Sequence, residues 1–330
     1  MEKKSAGIIG IGSYVPEKVI TNADLEKIID TSDTWIVERT GIRERRVVAA
    51  GQATSDLATM AAERALADAG VSAEELDLII VATVTPDMVF PSVACLVQNK
   101  LKAVNAAAFD LTAVCSGFMY ALVTGSSFIQ SGMYKKILVI GAEALSTITD
   151  WTDRNTAILF GDGAGAAVLA AVPEGFGVLG VHLGAEGGGG DLLKLPAGGS
   201  RLPATAETVA QRLHYTRMDG NEVFKFAVKV MGEAVKHALQ MAKLTTADIT
   251  YLVPHQANIR IIQSAAKRVG MPMDKVVVNV DKYGNTSAAS IPIALDEAVK
   301  SGKIKKGDAI AMVGFGGGLT WAASIVKWYK

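Results

Sequence analysis

The chain has 330 residues, enough for one large domain or two of ordinary size. Half of it is hydrophobic and 20% is charged, with 33 basic residues against 33 acidic, so nothing in the charge points to nucleic acid or an anionic membrane surface. Two cysteines, Cys95 and Cys115, are too few for a disulfide framework and form no Cys-x-x-Cys metal motif, which fits a reduced, cytoplasmic protein.

Residues 6–14 read as a strand, and the short, Gly-rich start that leads into it does not look like a signal segment. Thr21-Asn-Ala-Asp24 caps a short helix over 22–29, and a second helix over 32–40 carries Trp35 and Arg39. An amphipathic helix spans 56–70, a continuous apolar strand of the buried parallel kind spans 76–83, and Pro91 opens a helix to about 101. Ala106 to Leu111 ends a short strand, a tight turn follows, and residues 115–130 are apolar on nearly every face, as in a buried helix. Then come a strand at 137–141, a polar turn at Trp151-Thr-Asp-Arg154 and a Gly/Ala-rich strand region at 158–172. Residues 176–218, with Gly187 to Gly190, read as hairpin and surface loops. Asp219-Gly-Asn-Glu222 is a capping box for a helix to about 243. A strand at 250–253, a helix at 258–269, a strand at 275–280, a helix at 286–301 and strands at 308–313 and 319–328 complete the chain. No run of 18 uncharged apolar residues occurs, since Asp162 interrupts 157–172. Alternating helices and strands predict an α/β protein with a largely parallel sheet.

The chain also repeats. Ser131 to Lys136 matches Ser301 to Lys306 at an offset of 170, and Ala65-Leu66 with Ala69 matches Ala238-Leu239 with Ala242 at an offset of 173. Two similar halves, 1–174 and 175–330, are expected. At the offset of 170, Cys115 falls on Asn285, in a turn that also opens a helix. Related by a pseudo-twofold axis, the two helix N-termini would meet at a crevice between strand ends, where open α/β sheets bind ligands.

Cys115 at a helix N-terminus has two readings: a nucleophile whose thiol pKa the dipole lowers, or one more small buried hydrophobe. Of the four histidines, His182 and His214 fall in the irregular region and His237 on a solvated helix face. His255 instead follows a buried strand directly, in Pro254-His-Gln-Ala-Asn258, and so faces a ligand. Gly314-Phe-Gly-Gly-Gly318 joins two apolar strands, either as a tight hairpin or as a source of N–H groups for an oxyanion hole. Dinucleotide, Walker and serine-hydrolase signatures are incomplete or missing.

These pieces, with Thr31-Ser-Asp-Thr-Trp35-Ile-Val-Glu-Arg39, Ala113-Val-Cys115-Ser-Gly117, Phe160-Gly-Asp-Gly-Ala-Gly165 and Gly284-Asn-Thr-Ser287, resemble the β-ketoacyl-[acyl-carrier-protein] synthase III family of thiolase-fold condensing enzymes over essentially the whole length. The resemblance implies a thiolase-like fold of two pseudo-twofold-related βα-repeat halves in α-β-α-β-α layers, and a homodimer. It implies the initiating condensation of bacterial fatty acid synthesis, in which Cys115 takes an acyl group from acetyl-CoA or a similar short acyl-CoA. His255 and Asn285 would support decarboxylation of malonyl-[acyl-carrier-protein], and the N–H groups of Cys115 and Gly317 would form the oxyanion hole. Thr31, Trp35, Arg39, Arg154, Phe224 and Asn258 would bind CoA, with Trp35 and Arg154 sandwiching the adenine. Lys225, Gln256, Arg260, Lys267 and Arg268 would meet the acidic carrier protein, and Phe90 would close the acyl pocket across the dimer. The partners implied are acyl-CoA, malonyl-carrier protein and a second copy of the chain, with no nucleic acid, membrane, metal or resident cofactor. Trp151, where some relatives carry Pro, and insertions around 201–216 depart from the pattern.

A degradative thiolase would need a second cysteine at 314–318, where there is none. An elongating synthase would place a second histidine where Asn285 stands, and a hydroxymethylglutaryl-CoA synthase would want a glutamate beside the Cys–His pair, for which no clear candidate is visible. A non-catalytic module would have lost Cys115 or His255.

Overall fold

Leu78–Ala82 is buried at every position, and so is nearly all of Lys136–Glu143, so the sheet they share needs a layer of helices on each face. A computed structural model describes residues 5–330 and shows how that need is met. Residues 1–4 of the N-terminal run lie outside the described residues.

The first half contains β1 (Ser5–Tyr14), β2 (Val19–Thr21), α1 (Asn22–Leu25), α2 (Asp33–Thr40), β3 (Glu44–Arg46), α3 (Thr54–Ala69), β4 (Leu78–Ala82), α4 (Val93–Leu101), β5 (Ala107–Leu111), α5 (Gly117–Gln130), β6 (Lys136–Glu143), α6 (Arg154–Ala157) and β7 (Gly163–Val172). The second contains β8 (Gly177–Ala185), β9 (Leu193–Lys194), α7 (Ala206–Ala210), β10 (Arg217–Met218), α8 (Gly220–Ala242), β11 (Tyr251–Pro254), α9 (Ile259–Val269), α10 (Val280–Tyr283), α11 (Ser290–Lys300), β12 (Ala309–Gly316) and β13 (Thr320–Lys327).

Two sheets result, in the order β5-β4-β6-β7-β1 and β11-β12-β13-β8. In the first, β4 runs parallel to β5 and β6, and β7 antiparallel to β6 and β1. The second copies this: β11 is parallel to β12, and β13 antiparallel to β12 and β8. The missing fifth strand survives as one parallel bridge from Leu252 to Val276. The strand expected at 275–280 is therefore not formed. The Gln256 side chain bonds the Val277 carbonyl and the Asn279 N–H, doing locally what a neighbouring strand would. Conversely, the region expected to be hairpin and surface loops contains β8, a nine-residue strand that pairs with β13 on the edge of the second sheet. Helix α1 ends at Leu25, short of the expected 29, with Glu26 as its C-cap.

Apolar faces stack these elements in five layers. Leu57, Ala61 and Ala65 of α3 and Val97 of α4 cover one face of the first sheet. Val230, Met231 and Val235 of α8 and Ile262 of α9 cover one face of the second. Phe118, Met119 and Leu122 of α5, with Ile291, Ala294 and Leu295 of α11, form a middle layer packed on both sheets.

The register of the repeat is 173. Val114 and Ser287, that far apart, both hold left-handed backbone, with φ of 47° and 49°, immediately before α5 and α11. Gly141 near the end of β6 and Gly314 of β12 share that spacing. A Cβ on Gly141 would lie 2.3 Å from the Ala288 oxygen, and one on Gly314 would lie 3.4 Å from the Cys115 oxygen. Each sheet thus receives the other half's helix start against a glycine. Cys115 corresponds to Ala288, and Asn285 to Thr112, so the equivalence of Cys115 with Asn285 is off by three residues. The cause is local: α11 has 11 residues where α5 has 14, and the match at 170 lies beyond that helix.

Candidate active site

Cys115 sits in a single 3-10 turn, Val114–Ser116, that feeds straight into α5. It is 6% exposed, and a Cβ on Gly316 of β12 would lie 2.5 Å from its backbone nitrogen. The missing side chain at 316 is what lets the second half approach the nucleophile turn. Burial pushes the thiol up to about 12; the Ser287 hydroxyl opposes this and the charge of Glu143 adds to it. The expectation of a lowered thiol pKa is thus reversed in the resting site: desolvation outweighs the helix start, and Cys115 is a thiol.

His255 follows β11 directly and is fully buried. Burial alone holds its imidazole down at about 3, so the ring is neutral. Ser290 Oγ at the start of α11 accepts the Gln256 N–H at 3.3 Å and lies 2.6 Å from His255 Nδ1. With the Ser290 O–H assigned as donor to Nδ1, the ring proton lies on Nε2, which has no partner among the described residues. Phe315 packs edge-on against the ring at 5.5 Å.

Asn285 is held by its backbone and one side-chain oxygen. Its N–H donates to the Leu159 carbonyl at 2.8 Å, its carbonyl accepts from Gly161 at 3.0 Å, and its Oδ1 accepts the Ser287 N–H at 2.9 Å. Among the described residues the amide NH2 has no hydrogen-bond partner, which leaves two donors. Cys115, His255 and Asn285 all line one cavity of about 1010 Å³, which Trp35, Arg39, Phe224, Asn258 and Arg260 also line. A neutral N–H from the ring, an amide NH2 and a thiol therefore open on one space. Such a set can accept an acyl group on sulfur and stabilise charge developing on a neighbouring oxygen.

Other expected residues are placed differently. Gln256 is 1% exposed, with its amide spent on Pro254, Val277 and Asn279, so it cannot touch a docked protein. Thr31 and Gly317 are not among the lining residues, although Gly316, next to Gly317, is. Arg154 lies directly on the Trp35 ring, 4.6 Å from its centroid, as does Arg39. A flat base between Trp35 and Arg154 needs about 7 Å, two contact distances, so the sandwich is shut in this structure. Arg154 is tethered there by the Asp30 carbonyl at 3.1 Å. Lys225, Lys267 and Arg268 are exposed, with Lys225 paired to Glu222, and Phe90 is 83% exposed. Lys194, Arg217 and Met218, on the β9–β10 ribbon within the region expected to be hairpin and surface loops, line the cavity as well.

Sequence reasoning missed Glu143. This carboxylate ends β6, is fully buried, and accepts from the Ser287 hydroxyl at 3.0 Å. The signal was present: a charge closing an apolar strand, the rule that picked out His255. Among the described residues no helix is long and apolar enough to cross a membrane, and no His, Cys, Asp and Glu gather in threes as a metal would need.

Two mirrored sheets around paired helices, with a cysteine at the start of one, define the thiolase-fold condensing enzymes. Within that class the comparisons are specific. Residues 109–187 match the family model for 3-oxoacyl-[acyl-carrier-protein] synthase III, and residues 239–328 match the model for its C-terminal part. Beta-ketoacyl-[acyl-carrier-protein] synthase III of Caldanaerobacter subterraneus subsp. tengcongensis is 61% identical over 329 residues, covering 100% of this chain and 99% of its own. The protein of that name from Clostridioides difficile is 58% identical, covering 98% of each chain. The crystal structure of 3-oxoacyl-[acyl-carrier-protein] synthase III from Aquifex aeolicus superposes with a TM-score of 0.90 at 50% identity, covering 98% of this chain and 100% of its own. The Thermus thermophilus structure gives 0.91 at 50%, covering 98% and 99%. The chain belongs to the β-ketoacyl-[acyl-carrier-protein] synthase III family, a family of condensing acyltransferases.

Proposed function

We propose that the chain performs the decarboxylative condensation of a short acyl-CoA with malonyl-[acyl-carrier-protein], through an acyl group held on Cys115. The observation that carries this reading is the convergence of the Cys115 thiol, an unpartnered His255 Nε2–H and the free Asn285 amide on one cavity, in a chain of this family.

Cys115 attacks the thioester carbonyl and CoA leaves. The malonyl thioester oxygen then accepts from His255 Nε2–H and Asn285 Nδ2–H. These two donors stabilise the enolate formed as CO2 departs, and the enolate carbon attacks the acyl-Cys115 thioester. Donors fixed in a buried site contribute roughly 3–4 kcal/mol each to such a transition state. A neutral His255 suits this role, since it donates without giving up its proton. The N–H groups of Cys115 and Gly317 are the proposed donors to the oxyanion at sulfur, and no resident cofactor enters.

Trp35, Arg39, Phe224 and Asn258 on the cavity wall would take the CoA arm, with Thr31 and Arg154 at its outer end once Arg154 swings away. Exposed Lys225, Arg260, Lys267 and Arg268 would meet an acidic carrier protein. Met88, Val89 and Phe90, 49%, 86% and 83% exposed, precede α4, which leads into edge strand β5, and would be covered by a second copy of the chain, with Phe90 reaching its acyl pocket. A cytoplasmic setting goes with the two free thiols.

Labelled acetyl-CoA with peptide mapping tests the first half-reaction. The label is expected on Cys115 and absent in Cys115→Ser; no adduct in the native protein defeats the reading. His255→Ala and Asn285→Ala should still acylate yet lose malonyl decarboxylation.

A further inference from the structure

The acylation step leaves one proton unassigned. Cys115 is a thiol at rest, and its S–H proton must go somewhere as sulfur bonds to carbon. His255 already carries a proton on Nε2, and its Nδ1 is engaged by Ser290, so the ring is badly placed to take another.

A different acceptor lies behind the sulfur. Ser287, at the helix start related to Val114 by the pseudo-twofold, lines the cavity and interacts with the Cys115 thiol. Its hydroxyl donates to Glu143 Oε1 at 3.0 Å, so a proton reaching Ser287 Oγ has a carboxylate to pass to. Glu143 also accepts from Thr85 Oγ1 at 2.6 Å, Thr83 Oγ1 at 3.2 Å and the Val84 N–H at 3.1 Å. Burial raises this carboxyl to about 7, opposed by hydrogen bonds alone, with no cation contributing. A fully buried carboxylate without a cation is costly even when hydrogen-bonded, and such groups cluster at functional sites. The other titratable groups on the elements packed around it are accounted for. Asp162, beside its β7 partner Gly163, is bonded to Val48 and Ser146; Asp87, beyond β4, holds Ser55; His255 faces Ser290.

We propose that Glu143, acting through the Ser287 hydroxyl, holds the proton that Cys115 sheds on acylation and returns it when the sulfur is released. The inference rests on the acyl-transfer reading above. In loading, the S–H proton passes to Ser287 Oγ and the Ser287 proton to Glu143 Oε1. The sulfur lone pair forms the new S–C bond, the carbonyl carbon–sulfur bond to CoA breaks, and the CoA thiolate takes a proton from water. In condensation, the enolate carbon bonds to the acyl carbon, the S–C bond to Cys115 breaks with its electron pair on sulfur, and the proton returns by the same path. One proton from water is consumed per cycle, matching the loss of the malonyl carboxylate as CO2. Glu143 is a positioning residue in this scheme, since it meets the substrate only through Ser287 and Cys115.

The test is single-turnover acylation of Cys115 across neutral pH in the native enzyme, Glu143→Gln and Ser287→Ala. The native rate should fall as pH drops through about 7, where Glu143 protonates. Both variants should lose on the order of 10²-fold at the alkaline end and show no inflection near neutrality, with the KM for acyl-CoA and the thermal midpoint little changed. A Glu143→Gln enzyme with the native rate, or with a reduced rate and the inflection kept, overturns the proposal. A native protein that never acylates Cys115 defeats the functional reading instead. Iodoacetamide alkylation of the Cys115 peptide then takes over as readout, and an inflection near neutrality that persists in Glu143→Gln overturns the relay on its own.

Discussion

His255 is neutral because its ring is buried, and the fold bears a cost for keeping it so. The ring titrates at about 3 when folded and near 6.5 when exposed, so the unfolded chain binds a proton that the folded one refuses. The stability this contributes is complete above pH 6.5 and is lost as pH falls towards 3, up to roughly 5 kcal/mol. Denaturant midpoints measured against pH should show the native protein weakening below that point and His255→Gln weakening less; parallel curves would contradict the assignment. At this scale the sequence was readable where a residue type was rare. A cysteine before an apolar helix and a histidine after an apolar strand stand out, whereas Gln256 looked like surface because its role, substituting for a strand partner, depends on a neighbour 21 residues away. Glu143 stood out only as a charge closing an apolar strand, and its contact with Ser287 was invisible for the same reason: 144 residues separate them, and only the pseudo-twofold brings them together.

Helices and strands with an uninterrupted apolar period came through the sequence nearly intact, as with α3, α8, β4 and β12. The failures were β8, whose Gly-rich start and mixed pattern suit an edge strand half open to solvent, and Val276, whose β-branched run is too weakly paired to count as a strand. The short α11 misaligned the repeat by the same kind of local change. Close approach between elements carries a sharper prediction. A methyl at Gly316 cannot fit 2.5 Å from the Cys115 nitrogen, so Gly316→Ala must move the nucleophile turn. Overpacking should cost about 1–3 kcal/mol, while the displaced thiol should acylate roughly 10²-fold more slowly. Single-turnover acylation beside thermal unfolding separates the two effects, and a fully active variant would show that the turn has slack.

At the scale of the whole molecule, Met88 to Phe90 form an uncovered run of three apolar residues ahead of α4 and edge strand β5. If this surface seats the proposed second copy, Phe90→Asp should convert that dimer into monomer in sedimentation experiments, with the site in each protomer still folded; unchanged sedimentation would remove this surface from the interface.

The middle layer has a consequence for how the chain comes into being. When synthesis reaches Val172, the first sheet is complete and α5 lies across its inner face, but the residues of α11 that share that face are still more than a hundred codons away. Until Ser290 to Lys300 leaves the ribosome, greasy surface meant for the interior stands bare, open to chaperones and to other nascent chains. A protein built from two look-alike halves therefore matures as one, and its closing segment, not its opening one, decides when the nascent product is safe from clumping.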